Sequence, residues 1–242
     1  MKIGLIIPAR YQSSRFPGKP LAKILGMPMI WHVWNQCIKA IEREKVFVAT
    51  DSEEILNAVN RFGGNGIMTS EECMTGTDRV AEANKALNFD YVVNVQGDEP
   101  IIDPDNINKV VNQAKRNPSS VINLAAAITN QEDFYNLSIP KVVFNENNKL
   151  LYMSRAPIPN NKENKLVHAY RQVCVYGFHK EHLESFSKAN SKTNLESIED
   201  IEILRFLDLS INVEMMIVQS DNIAVDHPED IEKVERLLTA QI

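Results

Sequence analysis

A chain of 242 residues, 44% hydrophobic and 24% charged, has the composition of a folded globular protein. That length suits one large α/β domain or two small ones. The formal net charge of −6 argues against a general nucleic-acid binder, and no basic block suggests a membrane surface.

Strand and helix signals alternate from the start. Residues 2–8 form a short apolar run of strand type. Residues 29–41 predict a helix, with Ile30, Val33, Trp34, Cys37, Ile38 and Ile41 on one face. A strand follows at 45–49, and Thr50-Asp51 is placed to cap a helix over 53–62 that Gly63-Gly64 stops. A short strand is expected at 65–68, then a helix over 77–87 capped by Thr77. Tyr91–Val95 reads as a strand buried on both faces, 105–115 as a helix and Val121–Ala127 as a strand. Such alternation implies a largely parallel sheet with helices on both faces.

The pattern changes after about residue 130. Lys141–Phe144 and Leu150–Ser154 flank a polar Asn-Glu-Asn-Asn turn, which is a hairpin signal. A polar loop at 160–165 and a strand at 173–178 come next. Ser197 and Asp200 resemble a capping box for a helix over 198–209 with Ile198, Ile201, Leu204 and Leu209 as its stripe. A strand at 213–218 and a helix at 228–239, with Pro228 in its first turn, complete the chain. The expected organisation is a single domain, 1–242, with an inserted hairpin region near 130–195. No segment approaches the roughly 20 apolar residues that span a bilayer. Cys37, Cys73 and Cys174 contain no CxxC pair, so neither a zinc site nor a disulfide framework is indicated. A reduced, cytoplasmic protein is expected.

Four segments carry chemistry. In the first, residues 9–20, the cations Arg10, Arg15 and Lys19 are interleaved with Ser13, Ser14 and a Pro-Gly turn, directly after a strand. Backbone N–H groups, hydroxyls and fixed positive charge in one loop suit a polyphosphate, although the spacing matches neither a dinucleotide fingerprint nor a P-loop. A solvated basic loop is the alternative. In the second, Asn94-Val95-Gln96-Gly97-Asp98-Glu99-Pro100 follows the Tyr91–Val95 strand. Ligands of open α/β sheets bind at the carboxyl ends of strands, so Asp98 and Glu99 would face Arg10 and Lys19. A carboxylate beside a phosphate loop suits Mg²⁺, which takes one or two carboxylates plus phosphate oxygens; Asp98 as a turn cap is the alternative. In the third, Asp226 stands before the last helix, as an N-cap, a second metal carboxylate, or both. In the fourth, Thr75-Gly76-Thr77-Asp78-Arg79 puts an arginine against the dipole of a helix N-terminus. That hints at a ligand contact, against a plain solvated arginine.

Taken in order, Ile7-Pro8-Ala9-Arg10, residues 13–19, 75–79, 94–100, 154–159 and 225–230 resemble the CMP-Kdo synthetases, the 3-deoxy-manno-octulosonate (Kdo) cytidylyltransferases. The resemblance spans essentially the whole chain. It implies a three-layer α/β/α nucleotidyltransferase fold, like that of nucleotide-diphospho-sugar transferases. The sheet would be mixed and mostly parallel, with an inserted subdomain that builds a homodimer. It implies Mg²⁺-dependent transfer of CMP from CTP to a ulosonic acid sugar for lipopolysaccharide synthesis. Arg10 and Lys19 would grip the triphosphate, with Ser13 and Arg15 in the same loop. Ala9, Thr75 and Arg79 would line the cytidine pocket, and Asp98 and Asp226 would hold Mg²⁺. Arg10, Lys19 and Asp98 are the expected catalytic residues. Gln96, Arg155, Tyr176, Glu199 and Glu202 match the sugar-acid side, where a guanidinium suits a carboxylate. A metal-dependent glycosyltransferase and a non-catalytic nucleotide binder are the competing readings.

Two departures fall on the sugar side. The family commonly shows His-Leu-Gly where this chain has Gln172-Val173-Cys174, and Glu-Gln-Leu-Arg where it has Glu202-Ile203-Leu204-Arg205. Gln172 and Ile203 are therefore expected at the sugar, with Kdo or an amino-bearing variant as substrate. Glu199 and Glu202 would accept the ammonium of such a variant.

Overall fold

A computed structural model of the chain describes residues 1–13, 16–189, 191–220 and 223–240. The strands are β1 (Ile3–Ala9), β2 (Lys23–Ile24), β3 (Met27–Pro28), β4 (Val46–Thr50), β5 (Asn65–Met68), β6 (Tyr91–Val95), β7 (Val121–Ala127), β8 (Lys141–Phe144), β9 (Leu150–Ser154), β10 (Tyr170–His179) and β11 (Val213–Ile217). The helices are α1 (Met29–Ala40), α2 (Glu53–Arg61), α3 (Gly76–Leu87), α4 (Pro104–Arg116), α5 (Gln131–Tyr135), α6 (Lys180–Ser187), α7 (Asn194–Glu199), α8 (Leu204–Asp208) and α9 (Asp230–Thr239).

The main sheet runs β11-β7-β10-β6-β1-β4-β5. β1 pairs in parallel with β4 and β6, β4 with β5, and β7 with β11. β10 is antiparallel to both β6 and β7 and joins the two parallel blocks. The mixed, mostly parallel sheet is thus as expected. The region expected as an insert near 130–195 divides: the β8–β9 hairpin hangs from the start of β10, while β10 itself is central.

Strands buried on both faces explain the apolar runs. Leu5, Ile7, Val93 and Val95 pack on one side with Val33, Cys37, Ile107 and Val110. Ile6, Val92, Tyr176 and Phe178 pack on the other with Val80, Phe186 and Phe206. β1 and β6 are therefore covered above and below, and their C-terminal ends emerge side by side.

Helix starts differ from the sequence reading. Ser52, not Thr50 or Asp51, caps α2, its hydroxyl accepting from Ile55 N–H. Thr75, not Thr77, caps α3. The helix expected over 198–209 is two short ones: α7 carries a capping box of Thr193 and Glu196, and Asp200 ends it in the left-handed region at φ 51°. The assumed stripe fails because Ile198 is 72% exposed while Ile201 and Leu204 are buried. The last helix begins at Asp230 rather than Pro228.

Gly177 lets β10 lie close against its neighbours. A Cβ there would stand 2.6 Å from Tyr91 Oη and 2.9 Å from Val110 Cγ1. Tyr91 is fully buried and donates to Ser120 O at 3.0 Å, so it has no room to yield. Gly177→Ala is expected to cost about 1–3 kcal/mol of stability by urea unfolding.

Candidate active site

The loops after β1 and β6 converge at Gly97, where a Cβ would meet Pro8 O at 2.7 Å. A glycine is needed there because the obstacle is backbone. Beyond it, Lys19 Nζ donates to Asp98 Oδ2 and to Val225 O, each at 2.8 Å. Val225 N–H donates to Asp98 O at 2.9 Å, which brings the segment before α9 beside β6 and sets Asp226 next to Asp98 in the chain path. Asp98 thus faces Lys19, as the sequence suggested.

A cavity of ≈ 240 Å³ opens at this point. Ala9, Arg10, Ser13 and Lys19 line it from the first loop, and Thr75 and Arg79 from α3. Gln96, Asp98 and Glu202 close its inner side. Arg15, expected in the same loop, lies outside the described residues. Arg79 is not a solvated arginine: it is buried, donating to Thr69 Oγ1 at 2.6 Å and pairing with Asp51 Oδ2 at 2.7 Å. The other Asp51 oxygen accepts from Tyr11 N–H at 3.2 Å, so the ion pair also holds the basic loop.

A second cavity of ≈ 920 Å³ adjoins the first and shares Gln96, Asp98, Asp200 and Glu202 with it. Arg155, Tyr176 and Asp226 line this larger space, with Gln172 and Cys174. Gln96 donates to Glu202 Oε1 at 2.8 Å, and Thr77 N–H donates to Glu202 Oε2 at 2.9 Å. Burial raises the Glu202 carboxyl above its usual range despite the pull of the Thr77 hydrogen bonds. Burial likewise pushes the Tyr176 phenol and the Cys174 thiol well up.

Two expected sugar-side residues are placed elsewhere. Glu199 lines neither cavity; it accepts from Ser154 Oγ at 2.6 Å, Tyr152 Oη at 3.3 Å and Arg155 N–H at 2.9 Å. Its carboxylate ties the end of β9 to α7. Ile203 is fully buried in the apolar core with Leu204 and Phe206.

The wall formed by residues 136–140 has an unusual support. Lys141 Nζ donates to Asn136 O at 2.7 Å and Ile139 O at 2.8 Å. Arg155 Nη1 donates to Leu137 O at 3.1 Å and Ser138 O at 3.4 Å. Two cations therefore grip consecutive carbonyls. Lys141 is wholly inaccessible, and burial together with the nearby Arg155 pulls its pKa down to about 8 against the opposing pull of Glu199.

The carboxylates Asp98 and Asp226 both line the larger cavity. Among the described residues no group of three His, Cys, Asp or Glu side chains is gathered for a metal. A pair of carboxylates with the remaining positions left to phosphate oxygens and water is the donor set that Mg²⁺ uses, so the residues present fit it.

A family model described as "Cytidylyltransferase" matches residues 5–217. The chain belongs to the cytidylyltransferase family. It is 40% identical to the 3-deoxy-manno-octulosonate cytidylyltransferase of Thermodesulfovibrio yellowstonii, covering 96% of both chains. It is also 40% identical to the 8-amino-3,8-dideoxy-manno-octulosonate cytidylyltransferase of Shewanella baltica, over 98% of this chain and 99% of the relative. A solved CMP:2-keto-3-deoxy-manno-octonic acid synthetase complexed with CTP superposes with a TM-score of 0.92 at 34% identity, covering all of both chains. A solved structure from Bacillus anthracis, 13% identical with a TM-score of 0.70 over 97% of this chain and 94% of that chain, shares the fold.

For a cytidylyltransferase the least legible feature was the support beneath the pocket. Thr75 Oγ1 donates to Asp78 Oδ2 at 2.8 Å. Arg205, fully buried, forks onto Asp78 at 2.8 and 3.2 Å and onto Glu196 at 2.6 and 2.7 Å. Its guanidinium also lies 3.8 Å over the Phe186 ring. A lone arginine in a helical stretch gives no sign of this, because its partners Asp78 and Glu196 lie on two other helices. Lys192, Asp200 and Arg171 also line the cavities without having been expected. Arg205→Met would strand two buried carboxylates, and a loss of about 3–5 kcal/mol is expected in denaturant unfolding.

Proposed function

We propose that this chain transfers CMP from CTP to the anomeric hydroxyl of Kdo, giving CMP-Kdo and pyrophosphate. The observation that carries the reading is the junction at Asp98. A strand-end carboxylate, paired to the lysine of a basic loop, sits where a smaller cavity lined by that loop meets a larger polar one. The full-length likeness to a synthetase complexed with CTP supports it.

In this reading the triphosphate lies against Arg10 and Lys19, and the cytosine side against Ala9, Thr75 and Arg79. Ser13 and Arg15 belong to the same loop. The sugar acid occupies the larger cavity, its carboxylate toward Arg155, with Gln96, Tyr176 and Glu202 around it. The anomeric oxygen forms a bond to the α-phosphorus, the bond to the β-phosphate oxygen breaks, and the hydroxyl proton is released. Phosphoryl transfer of this kind depends on positioning and charge neutralisation, and no protein nucleophile is required. Asp98 and Asp226 would hold Mg²⁺, which when bound neutralises phosphate charge. Lys19 is held by Asp98 and Val225 O, so its ammonium is fixed before nucleotide arrives.

A second reading, an 8-amino variant of Kdo, is favoured by the acidic lining of the larger cavity at Asp133, Asp200 and Glu202. The protein would work as a homodimer. Tyr135, Leu137, Leu151 and Val167 are exposed apolar residues in the 130–195 region, and a second copy would cover them. No helix among the described residues is long and apolar enough to cross a membrane, and dependence on CTP suits a cytoplasmic enzyme.

Purified protein with CTP and Mg²⁺ should release pyrophosphate with Kdo or its 8-amino analogue, and the ratio of kcat/KM values identifies the substrate. Release with neither sugar sinks the proposal. Asp98→Asn keeps the shape but not the charge, and turnover should fall at least about 100-fold; wild-type turnover at saturating Mg²⁺ would remove Asp98 from the metal site. Lys19→Met should raise the KM for CTP and lower the Tm modestly, since Asp98 and Val225 O lose their shared donor. Unfolding of that variant, with unchanged kinetics of the folded fraction, would make the loop structural.

A further inference from the structure

β10 leaves its regular register where it borders the larger cavity. It pairs with β7 at Val173↔Leu124 and next at Tyr176↔Asn123, so Cys174 and Val175 are extra relative to β7. On its other side β10 stays regular, with Val175↔Val95, and Gln96 N–H donating to Cys174 O at 3.2 Å. Bulges of this kind re-aim side chains next to functional sites.

The bulge takes backbone carbonyls away from the N–H groups of β7. Asn123 repairs this from its side chain: Nδ2 donates to Val173 O at 3.0 Å and to Val175 O at 3.1 Å. Asn123 is fully buried. Two carbonyls need the NH₂ end of that amide, so Oδ1 must face the other way and needs a donor of its own. Gln172 supplies it, Nε2 donating to Asn123 Oδ1 at 3.0 Å. Gln172 is 8% exposed and its own N–H is held by Pro140 O at 3.0 Å. Cys174 and Tyr176, the residues carried by the bulge and just beyond it, line the larger cavity.

We propose that Gln172 is a positioning residue for the sugar cavity. By donating to Asn123 it orients the amide that clamps the bulge, and the clamped bulge sets Cys174 and Tyr176 in the cavity wall. Gln172 lines the same cavity, but its Nε2 is committed to Asn123, so its effect on the sugar runs through that amide. This rests on the larger cavity being the sugar site. It also reassigns the effect of the Gln172-Val173-Cys174 sequence from a polar contact to the shape of the wall.

Gln172→Met tests it, since the change keeps the length of the side chain but removes the donor. The KM for the sugar acid should rise about tenfold, as expected when a buried acceptor loses its donor, while the KM for CTP stays unchanged. In an Asn123→Ala background the same change should add nothing, because the link is already cut. Asn123→Thr, which keeps a hydroxyl donor and suits a strand, serves in the cycle if the alanine variant does not fold. Iodoacetamide labelling, read by mass spectrometry in the absence of substrate, gives a second readout: Gln172→Met should speed alkylation of Cys174 and leave Cys73 unchanged. Additive effects of the two substitutions on the sugar KM would overturn the proposal, as would an unaltered Cys174 rate. If the unmodified protein turns over no sugar acid, the functional reading fails by itself, and the labelling still decides whether Gln172 holds the bulge.

Discussion

The ammonium of Lys19 is the point at which three distant parts of the chain meet. It belongs to the loop after β1, binds the carboxylate beyond β6, and binds a carbonyl just ahead of α9. Each of those parts is a loop that the sheet alone would leave free. One charged group with two acceptors joins them, and the backbone bond from Val225 N–H to Asp98 O completes the junction. Such a charge-assisted arrangement is stronger than neutral hydrogen bonds and is less screened at the protein interior than on its surface. The site is held open by the same group that would meet the phosphates.

Around that junction the sheet divides the labour. The parallel block of β1, β4 and β5 with β6 presents the smaller cavity at its strand ends. The antiparallel β10 then reverses direction, and its starting half, with the loop before β8, walls the larger cavity. A parallel β10 would have sent that half to the opposite end of the sheet. The polar residues shared by both cavities, Gln96, Asp98, Asp200 and Glu202, lie along the seam. Beneath it, Arg205 locks the start of α3 to α7, so the two sides share one rigid floor.

Much of this was legible from local sequence. Strands β5, β6, β7, β8 and β9 fall where apolar runs and turn residues put them: burial on both faces leaves β6 and β7 little choice, while glycines before β5 and the polar turn between β8 and β9 mark the other three. Arg10, Ser13 and Lys19 of the basic loop, with Thr75, Arg79, Gln96, Asp98, Arg155, Tyr176, Glu202 and Asp226, reach one of two adjoining cavities, since the loops that leave neighbouring strand ends gather in one crevice. What failed was set by distant contacts. Glu199 looked like a ligand for an ammonium, but the end of β9 arrives first and uses its oxygens. Ile203 looked like a pocket residue, but the break at Asp200 turns it into the core. Thr77 and Ser197 had the chemistry of caps, yet Thr75 and Thr193 stand where each helix begins. Capping preference names the residue type, and only packing decides which of several candidates is used.

The wall at residues 136–139 is held through its main chain. Lys141 and Arg155 bind its carbonyl oxygens, while side chains such as Leu137, 64% exposed, take no part in that hold. Every residue type offers the same carbonyl. Apart from Asn136, whose Oδ1 accepts from Ser138 N–H at 2.9 Å, the shape of this segment therefore depends little on which amino acids compose it, so mutations at Ser138 and Ile139 can try new contacts with a sugar while the architecture that presents them is inherited unchanged. Drift in substrate preference within such a scaffold needs no rebuilding of the enzyme, only new letters on a frame that two cations keep in place.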